Sequence, residues 1–277
     1  MSMSMSTSPS FDPVPYLRQM QASQASALRA TSKCVEVGPY LAAFDHTNDL
    51  VWVNYAIPVA ERATEDQLRE ALRPLRSHFA ERQRVLRFEF SQTLWPALEG
   101  VLTAAGLVCQ VRVPLMIYVP PGQTQPLPAP DVQLVDAGAT DALLTAILDL
   151  RNRSFASEAL PAPTAAEVAQ LRQMIVDQKL RQAVAYCEGT LAGIGSMMAG
   201  GPVSELVGVA TDPAFRRRGI ASAMSRFLVV DHLARGGEAV WLSAADTVAE
   251  QIYAKIGFRT LGVQLCYIAA EGVPRRE

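Results

Sequence analysis

The sequence predicts an α/β (α+β) protein of two similar halves, each with a mixed, mostly antiparallel central sheet flanked by helices. Three observations support this fold class. The 277 residues are enough for about two domains. A proline-rich stretch at residues 120–130 favours an extended linker near the middle of the chain. On both sides of that stretch, short apolar strands alternate with amphipathic helices.

The domain boundaries follow from the proline-rich stretch. We expect a disordered tail at residues 1–12, a first domain at 13–119, the linker at 120–130 and a second domain at 131–277. The tail lacks the basic and apolar regions of a secretory signal. No apolar run reaches the ~18 residues that a membrane helix needs. The net charge of −2 gives no electrostatic basis for a nucleic-acid or membrane partner.

The cysteines predict neither a disulfide framework nor a metal site. The four of them lie far apart, and none belongs to a C-x-x-C pair. Reduced cysteines are typical of an intracellular protein. We therefore expect a cytoplasmic protein without a bound metal.

In the first half, the pattern predicts a helix, two strands, a capped helix, a strand, a second helix and a long strand. Thr64 opens the capped helix, where Gln67 completes a capping box. Pro74 predicts a kink or an early end of that helix, and Gly106 ends the last helix of this half, at residues 94–105. The predicted ranges are 14–30, 34–44, 50–58, 64–79, 84–90, 94–105 and 107–119.

In the second half, the pattern predicts a short strand, two helices, a hairpin and then alternating strands and helices. Thr164 and Glu167 form another capping box, and Glu188 with Gly189 predicts the hairpin turn. The predicted ranges are 132–135, 140–148, 164–180, 183–187, 191–198, 205–211, 219–234, 239–242, 248–256 and 259–268.

The two halves end in the same way. Gly106 and Leu107 match Gly257 and Phe258 at an offset of 151 residues, which is 257 minus 106. The same offset places one predicted strand of the first half on a predicted strand of the second. An internal duplication explains this pattern. The alternative is two unrelated α/β halves with similarly placed turn residues.

The strand that ends at Thr211 leads through a basic loop into a helix that begins at Gly219. Unpaired backbone N–H groups, the helix dipole and arginine side chains together favour a phosphate or pyrophosphate group at such a helix start. Glycine and alanine let an anion approach the backbone. By itself the motif also fits a solvated basic turn, and it is neither a P-loop nor a dinucleotide fingerprint. The predicted anion site comprises Arg216, Arg217, Arg218, Gly219, Ile220 and Ala221.

A second motif follows downstream, with Tyr253 four residues before Gly257 and Phe258. Together the two motifs resemble the GNAT superfamily of acyl-CoA-dependent N-acetyltransferases. The resemblance covers residues 131–277 and, more faintly, the first half. One departure is Asp246, where the family often has asparagine, which puts a capping contact or a cofactor contact in question.

The resemblance implies acetyl-CoA as co-substrate and a role for each motif residue. Val209, Ala210 and Thr211 would pair their backbone with the pantetheine arm, and Asp246 would lie beside the cofactor. Tyr253 would be the general acid that protonates the leaving thiolate, although a packing role also fits a tyrosine on an amphipathic helix. Glu205 would be the base, directly or through a water relay, although a solvated strand-edge carboxylate fits equally.

The first half lacks these motifs. An ungapped alignment places Leu68 opposite Gly219 and Glu70 opposite Ala221, and no tyrosine matches Tyr253. We therefore expect a degenerate GNAT-like half that completes the sheet or walls the acceptor pocket. The predicted function is acetyl transfer to a primary amine, in a small molecule or a peptide, by direct attack in the second half. A non-catalytic acyl-CoA-binding or regulatory module is the alternative, and the sequence does not predict an oligomeric state.

Overall fold

The structure is a computed structural model and describes residues 12–118, 131–155 and 160–270. The predicted linker and all but the last residue of the predicted tail lie outside these ranges. The described residues confirm an α/β fold with a central mixed sheet flanked by helices. All four cysteines are free.

The first half follows the predicted order of elements. Its capped helix breaks after Glu70 and resumes at Leu72, two residues before Pro74, as predicted. The predicted strand at 50–58 is wrong over its first part, because the buried Asn54 side chain donates to the carbonyls of Asn48 and Leu50 and holds a turn there. The elements are α1 (Val14–Thr31), β1 (Lys33–Val37), β2 (Tyr40–Phe44), β3 (Tyr55–Pro58), α2 (Glu65–Glu70), α3 (Leu72–Glu81), β4 (Arg87–Ser91), α4 (Leu98–Ala104) and β5 (Leu107–Tyr118).

The second half also matches the predicted order. A 3-10 turn at Pro213–Phe215 follows its fourth strand, and the predicted hairpin turns at Glu188 and Gly189. The elements are β6 (Asp131–Leu134), α5 (Asp141–Phe155), α6 (Ala165–Val176), β7 (Leu180–Cys187), β8 (Thr190–Met198), β9 (Val203–Thr211), α7 (Ile220–Ala234), β10 (Ala239–Ser243), α8 (Thr247–Ile256) and β11 (Phe258–Ala269).

The two halves share one sheet of eleven strands in the order β1-β2-β3-β4-β11-β5-β10-β9-β8-β7-β6. Each half gives its last strand to the other, because β11 pairs with β4 and β5 pairs with β10. The two donated strands also pair with each other, antiparallel, along their length. The two sheets expected from the sequence are therefore joined, and strands from both halves alternate at the centre.

The donated strands carry the signature of a duplication. Both have 12 residues, and the 151-residue offset maps Leu107 onto Phe258 and Tyr118 onto Ala269. Gln264 pairs with Val113, its own counterpart at that offset. The pairing is therefore two-fold symmetric about these two residues, as a repeated unit predicts.

Helix α7 lies unusually close to the sheet. A Cβ built on Gly193 would come within 2.7 Å of Ile220 Cγ2, and one on Gly195 within 2.8 Å of Met224 Sδ. Cβ atoms do not tolerate contacts under about 3 Å in close-packed interiors. The two glycines of β8 therefore fix the height of α7, and with it the position of the basic loop that precedes the helix.

Candidate active site

Strands β9 and β10 diverge in the middle of the sheet. They pair in parallel only at Val203–Glu205, with Glu205 opposite Trp241 at the last pair. Beyond that pair β9 keeps its antiparallel partner β8 through Thr211. A register shift with β8 and a φ of +61° at Gly208 mark a bulge where the strands part. Residues 206–211 therefore present a free strand edge, which includes the predicted Val209, Ala210 and Thr211.

The start of α7 has the open geometry that an anion site needs. Gly219 is the N-cap, with φ of +77°, and no side chain caps the helix. The first intrahelical bond runs from the Ala223 N–H to the Gly219 carbonyl. Earlier N–H groups of the helix are therefore free to bind an external acceptor. A Cβ on Gly219 would meet nothing within 4 Å, so the space above the cap is open.

The three arginines directly precede this helix start and are exposed. Arg217 has a φ of +64°, and Arg218 lies over the Phe215 ring at 5.4 Å from its centroid. The Nε of Arg216 donates to the Thr211 carbonyl over 3.4 Å. Among the described residues none of the three forms a salt bridge, so their charges are available to an anion.

The equivalent helix start in the first half is closed. Thr64 accepts a bond from the Gln67 N–H, and the Gln67 side chain accepts one from the Thr64 N–H. Glu65 and Asp66 place negative charge in the first turn. The ungapped alignment, which put Leu68 opposite Gly219, does not superpose the two helix starts. By order of elements the counterpart of Gly219 is Thr64, because at the 151-residue offset β3 ends two residues earlier than β9 and the loop after it is two residues shorter.

Tyr253 lies on α8 in the hydrophobic cluster that includes Val209 and packs under α7. Its ring meets Phe258 edge-on at 5.7 Å between centroids. Burial raises the pKa of Tyr253 to about 12. The nearby Ser225 hydroxyl opposes part of that shift. Tyr253 is therefore protonated at neutral pH, as a proton donor must be.

Asp246 has a structural role at the start of α8. Its Oδ1 accepts from the Ala249 N–H at 2.7 Å and caps this helix, which carries Tyr253. A cofactor contact at Asp246 stays a prediction.

A cavity of about 370 Å³ lies on the other face of the sheet, between the two halves. The first half supplies α1, the loop after β2, Tyr55 and Glu89 to its wall. The second half supplies α5, α6 and the strands β8 and β9. Glu205, Gly208 and Ser243 line it where β9 and β10 part. The structure therefore brings Glu205 to the gap between the strands from one side, whereas Tyr253 lies on the opposite face.

Glu205 has an unusual environment for a carboxyl group. Burial, and then the charge of Glu89, raise its pKa well above the usual range. Glu89 itself is held by an ion pair with Arg87 and by the Gln264 amide at 3.1 Å. Among the described residues Glu205 forms no hydrogen bond or ion pair. Glu205 is half-buried in the cavity wall, and its role as a base stays a prediction.

Three residues of the cavity could not be identified from sequence motifs: Tyr55, Glu89 and Arg151. None of them belongs to a motif. Burial and the neighbouring Glu89 and Glu205 carboxylates raise the pKa of Tyr55. The described residues contain no group of three or more metal-ligating side chains, and no helix among them is long and apolar enough to cross a membrane.

The diverging strands and the open start of α7 lie within a segment that matches a known protein family. Residues 144–258 match the family model of the acetyltransferase (GNAT) family. The second half of the chain therefore contains a GNAT acetyltransferase domain, as the sequence motifs predicted. This family transfers acyl groups from acyl-CoA, of which acetyl-CoA is the donor its name implies.

Solved structures show the same fold over nearly the whole chain. A GCN5-related N-acetyltransferase from Kribbella flavida is 21% identical, with a TM-score of 0.73 over 92% of this chain and 96% of that one. A putative GNAT acetyltransferase from Novosphingobium aromaticivorans is 17% identical, with a TM-score of 0.55 over 92% and 97%. A tandem GNAT protein from the clavulanic acid biosynthesis pathway is 13% identical, with a TM-score of 0.57 over 96% and 98%. No curated protein matches the chain.

Proposed function

We propose that the protein transfers an acetyl group from acetyl-CoA to a primary amine by direct attack, with its active site in the second half. The observation that carries this proposal is the placement of Glu205. Its carboxyl lines the cavity at the point where β9 and β10 part, and the anion site lies at the far end of the same strand. Donor and acceptor can therefore meet in the gap from opposite faces.

The donor would be held by backbone. The free edge at 206–211 matches the amides of a pantetheine arm, which can pair like an added strand. The free N–H groups at the start of α7, with Arg216, Arg217 and Arg218 around them, fit a pyrophosphate.

Glu205 is suited to receive the proton of the acceptor. An alkyl ammonium has a pKa of about 10.4, so the amine must lose a proton before it attacks. In its ionised form, Glu205 is a stronger base than an exposed glutamate because its pKa is raised, and the cavity brings it to the gap. A water relay fits the same position.

Tyr253 is suited to supply the proton that the thiolate needs. The amine nitrogen forms a bond to the acyl carbon, the carbon–sulfur bond breaks, and the sulfur takes a proton from the phenol. With a pKa of about 12 in the free protein, the phenol is a hydrogen-bond donor throughout the neutral range. No covalent enzyme intermediate is needed.

The alternative is a non-catalytic acyl-CoA-binding module, which would need the helix start but no cavity lined by a half-buried carboxyl group. Thiol release from acetyl-CoA with a broad panel of amines, measured beside CoA binding, separates the two. Amine-dependent thiol release supports the transferase. CoA binding without thiol release on any amine would favour the binding module. The predicted cytoplasmic location remains part of the proposal.

A further inference from the structure

An arginine in the cavity wall is not used by the proposed chemistry. Arg151 lies on α5, three residues after Leu148 and four after Ile147. Residues at these spacings share one face of a helix. All three line the cavity, so this face of α5 turns an apolar stripe and one guanidinium toward the acceptor space.

Arg151 has no close partner in the described part of the chain. It forms no hydrogen bond there and no ion pair within 4.0 Å, whereas its neighbour Arg153 bonds both Asp149 and Asp212. Burial lowers the pKa of Arg151, and the more distant charges of Glu167 and Asp45 offset only part of that shift. Arg151 is half-buried, and a guanidinium that loses part of its hydration without a paired anion is costly to the folded state.

The two neighbouring carboxylates are occupied by other bonds. Asp45 accepts the N–H groups of Thr47 and Asn48, both at 2.8 Å, and the Gln170 amide at 3.0 Å. These bonds hold the loop after β2 against α6.

Glu167 is occupied in the same way. It caps α6 through the Thr164 N–H at 2.8 Å and accepts the Asn48 amide at 2.9 Å. Asp45 and Glu167 therefore serve the junction between the halves and leave the Arg151 donors free.

Asp45 and Glu167 are hydrogen-bonded, and Glu89 is ion-paired. The cavity therefore holds one carboxyl group and one guanidinium that have no hydrogen-bond or ion-pair partner among the described residues. These two groups are Glu205 and Arg151. The same cavity wall includes the apolar side chains Leu28, Met174, Ile194 and Met198. A ligand that satisfies both ends has a basic group, an apolar body and an acidic group.

We propose that the acceptor is an amine that also carries a carboxylate, which Arg151 binds while the amine lies at Glu205. The inference rests on the proposed acetyl transfer for the amine end. A planar guanidinium forms two parallel hydrogen bonds with a carboxylate, which matches the available donors. The acceptor class is therefore that of amino acids and short peptides with an apolar body, rather than polyamines.

Binding of product analogues tests the carboxylate end without turnover. The probes are N-acetyl-L-phenylalanine and N-acetyl-6-aminohexanoate, each against its carboxamide, titrated calorimetrically into the full chain with CoA. At least one acid should bind about tenfold or more tightly than its amide. Arg151→Gln should remove that preference, and Arg151→Lys should keep part of it. Arg153→Gln, two residues along α5, is the matched control and should leave it unchanged.

Equal affinity for acid and amide in both pairs, or a preference that survives Arg151→Gln, overturns the assignment. Acceptor kinetics separate this failure from that of the proposed function. If the acids bind through Arg151 but no amine releases thiol from acetyl-CoA, the transferase proposal fails and Arg151 keeps its role. If amines turn over with no preference for a carboxylate, the transferase proposal stands and the assignment of Arg151 fails.

Discussion

The starts of α2 and α7 occupy the same place in the two repeats, yet they have opposite chemistry. Both follow a strand and a short loop. At α2 the N–H groups are used by Thr64 and Gln67, and acidic residues follow. At α7 Gly219 leaves them free among arginines. The duplication therefore repeats the backbone architecture without repeating the anion site.

The first half still contributes to the site in the second. A groove of about 820 Å³ lies near α2, but Glu61 and Glu70 in its lining outnumber the single cation Arg62, so it offers an anion little attraction. The first half instead supplies Tyr55 and Glu89 to the cavity around Glu205. Under the proposed function, the first repeat would bind no donor and would form part of the acceptor wall.

We expect the largest loss of activity from a change at Tyr253. Its counterpart in the first repeat, at the 151-residue offset, is the buried Leu102. Tyr253→Phe keeps the ring against Phe258 and removes the hydroxyl. We expect kcat to fall by about 10²–10⁴-fold, because a general acid contributes that much, with CoA affinity nearly unchanged. Tyr118→Phe, which also packs on Phe258, is the control. A wild-type rate of thiol release in a pre-steady-state measurement would remove the acid role.

We expect the open start of α7 to lose its affinity for CoA when a side chain fills it. Gly219→Glu adds bulk and negative charge where the pyrophosphate is expected, so the Kd for CoA should rise by about 100-fold or more. Gly236→Glu places the same charge at the other end of α7. Gly236 also has a positive φ, +89°, and open space above it, so backbone strain is matched. Equal CoA affinity in the two folded variants would contradict the anion site.

Glu205 should make the second half less stable as the pH rises. Its folded-state pKa is raised by burial, so above its ordinary pKa the folded protein keeps a proton that the unfolded chain has lost. Stability therefore falls as the pH rises through the raised pKa. Glu205→Gln should raise Tm at pH 8 more than at pH 4, while it lowers kcat. The exposed Glu238→Gln is the control, and an unchanged Tm difference between the two pH values would contradict the shift.

The smallest effect should come from opening the closed helix start. Thr64→Ala removes the capping box of α2 and should cost about 0.5–2 kcal/mol of unfolding free energy. Chemical denaturation measures this loss. The affinity for CoA should not change, because Glu65 and Asp66 still repel an anion. A second CoA site in this variant would show that the capping box alone had closed the first half.

Local chemistry predicted much of the fold. Residues close together in the chain determine the capping boxes at Thr64 and Thr164 and the turns at Gly106 and Gly257. The structure confirms all four. The exchange of last strands was not predictable in this way. β5 and β11 have the same length and a similar apolar pattern, and periodicity does not say which neighbour a strand will choose.

The sequence predicted only those parts of the candidate site that are contiguous in the chain. The loop before α7 and the α8 motif are contiguous in sequence, so they were found. Arg151 was missed because one arginine on an amphipathic helix usually belongs to the solvated face. In the structure it lines a cavity together with residues of the first half. Tyr55 and Glu89 likewise gain their role from contacts between the two halves.

One donor site per chain, located at Gly219, is the central claim, and calorimetric titration of CoA tests it most directly. The wild-type protein should bind one CoA per chain, Gly236→Glu should do the same, and Gly219→Glu should lose the binding. Two equivalent sites per chain, or one site that Gly219→Glu leaves intact, would contradict the assignment of donor binding to the second half.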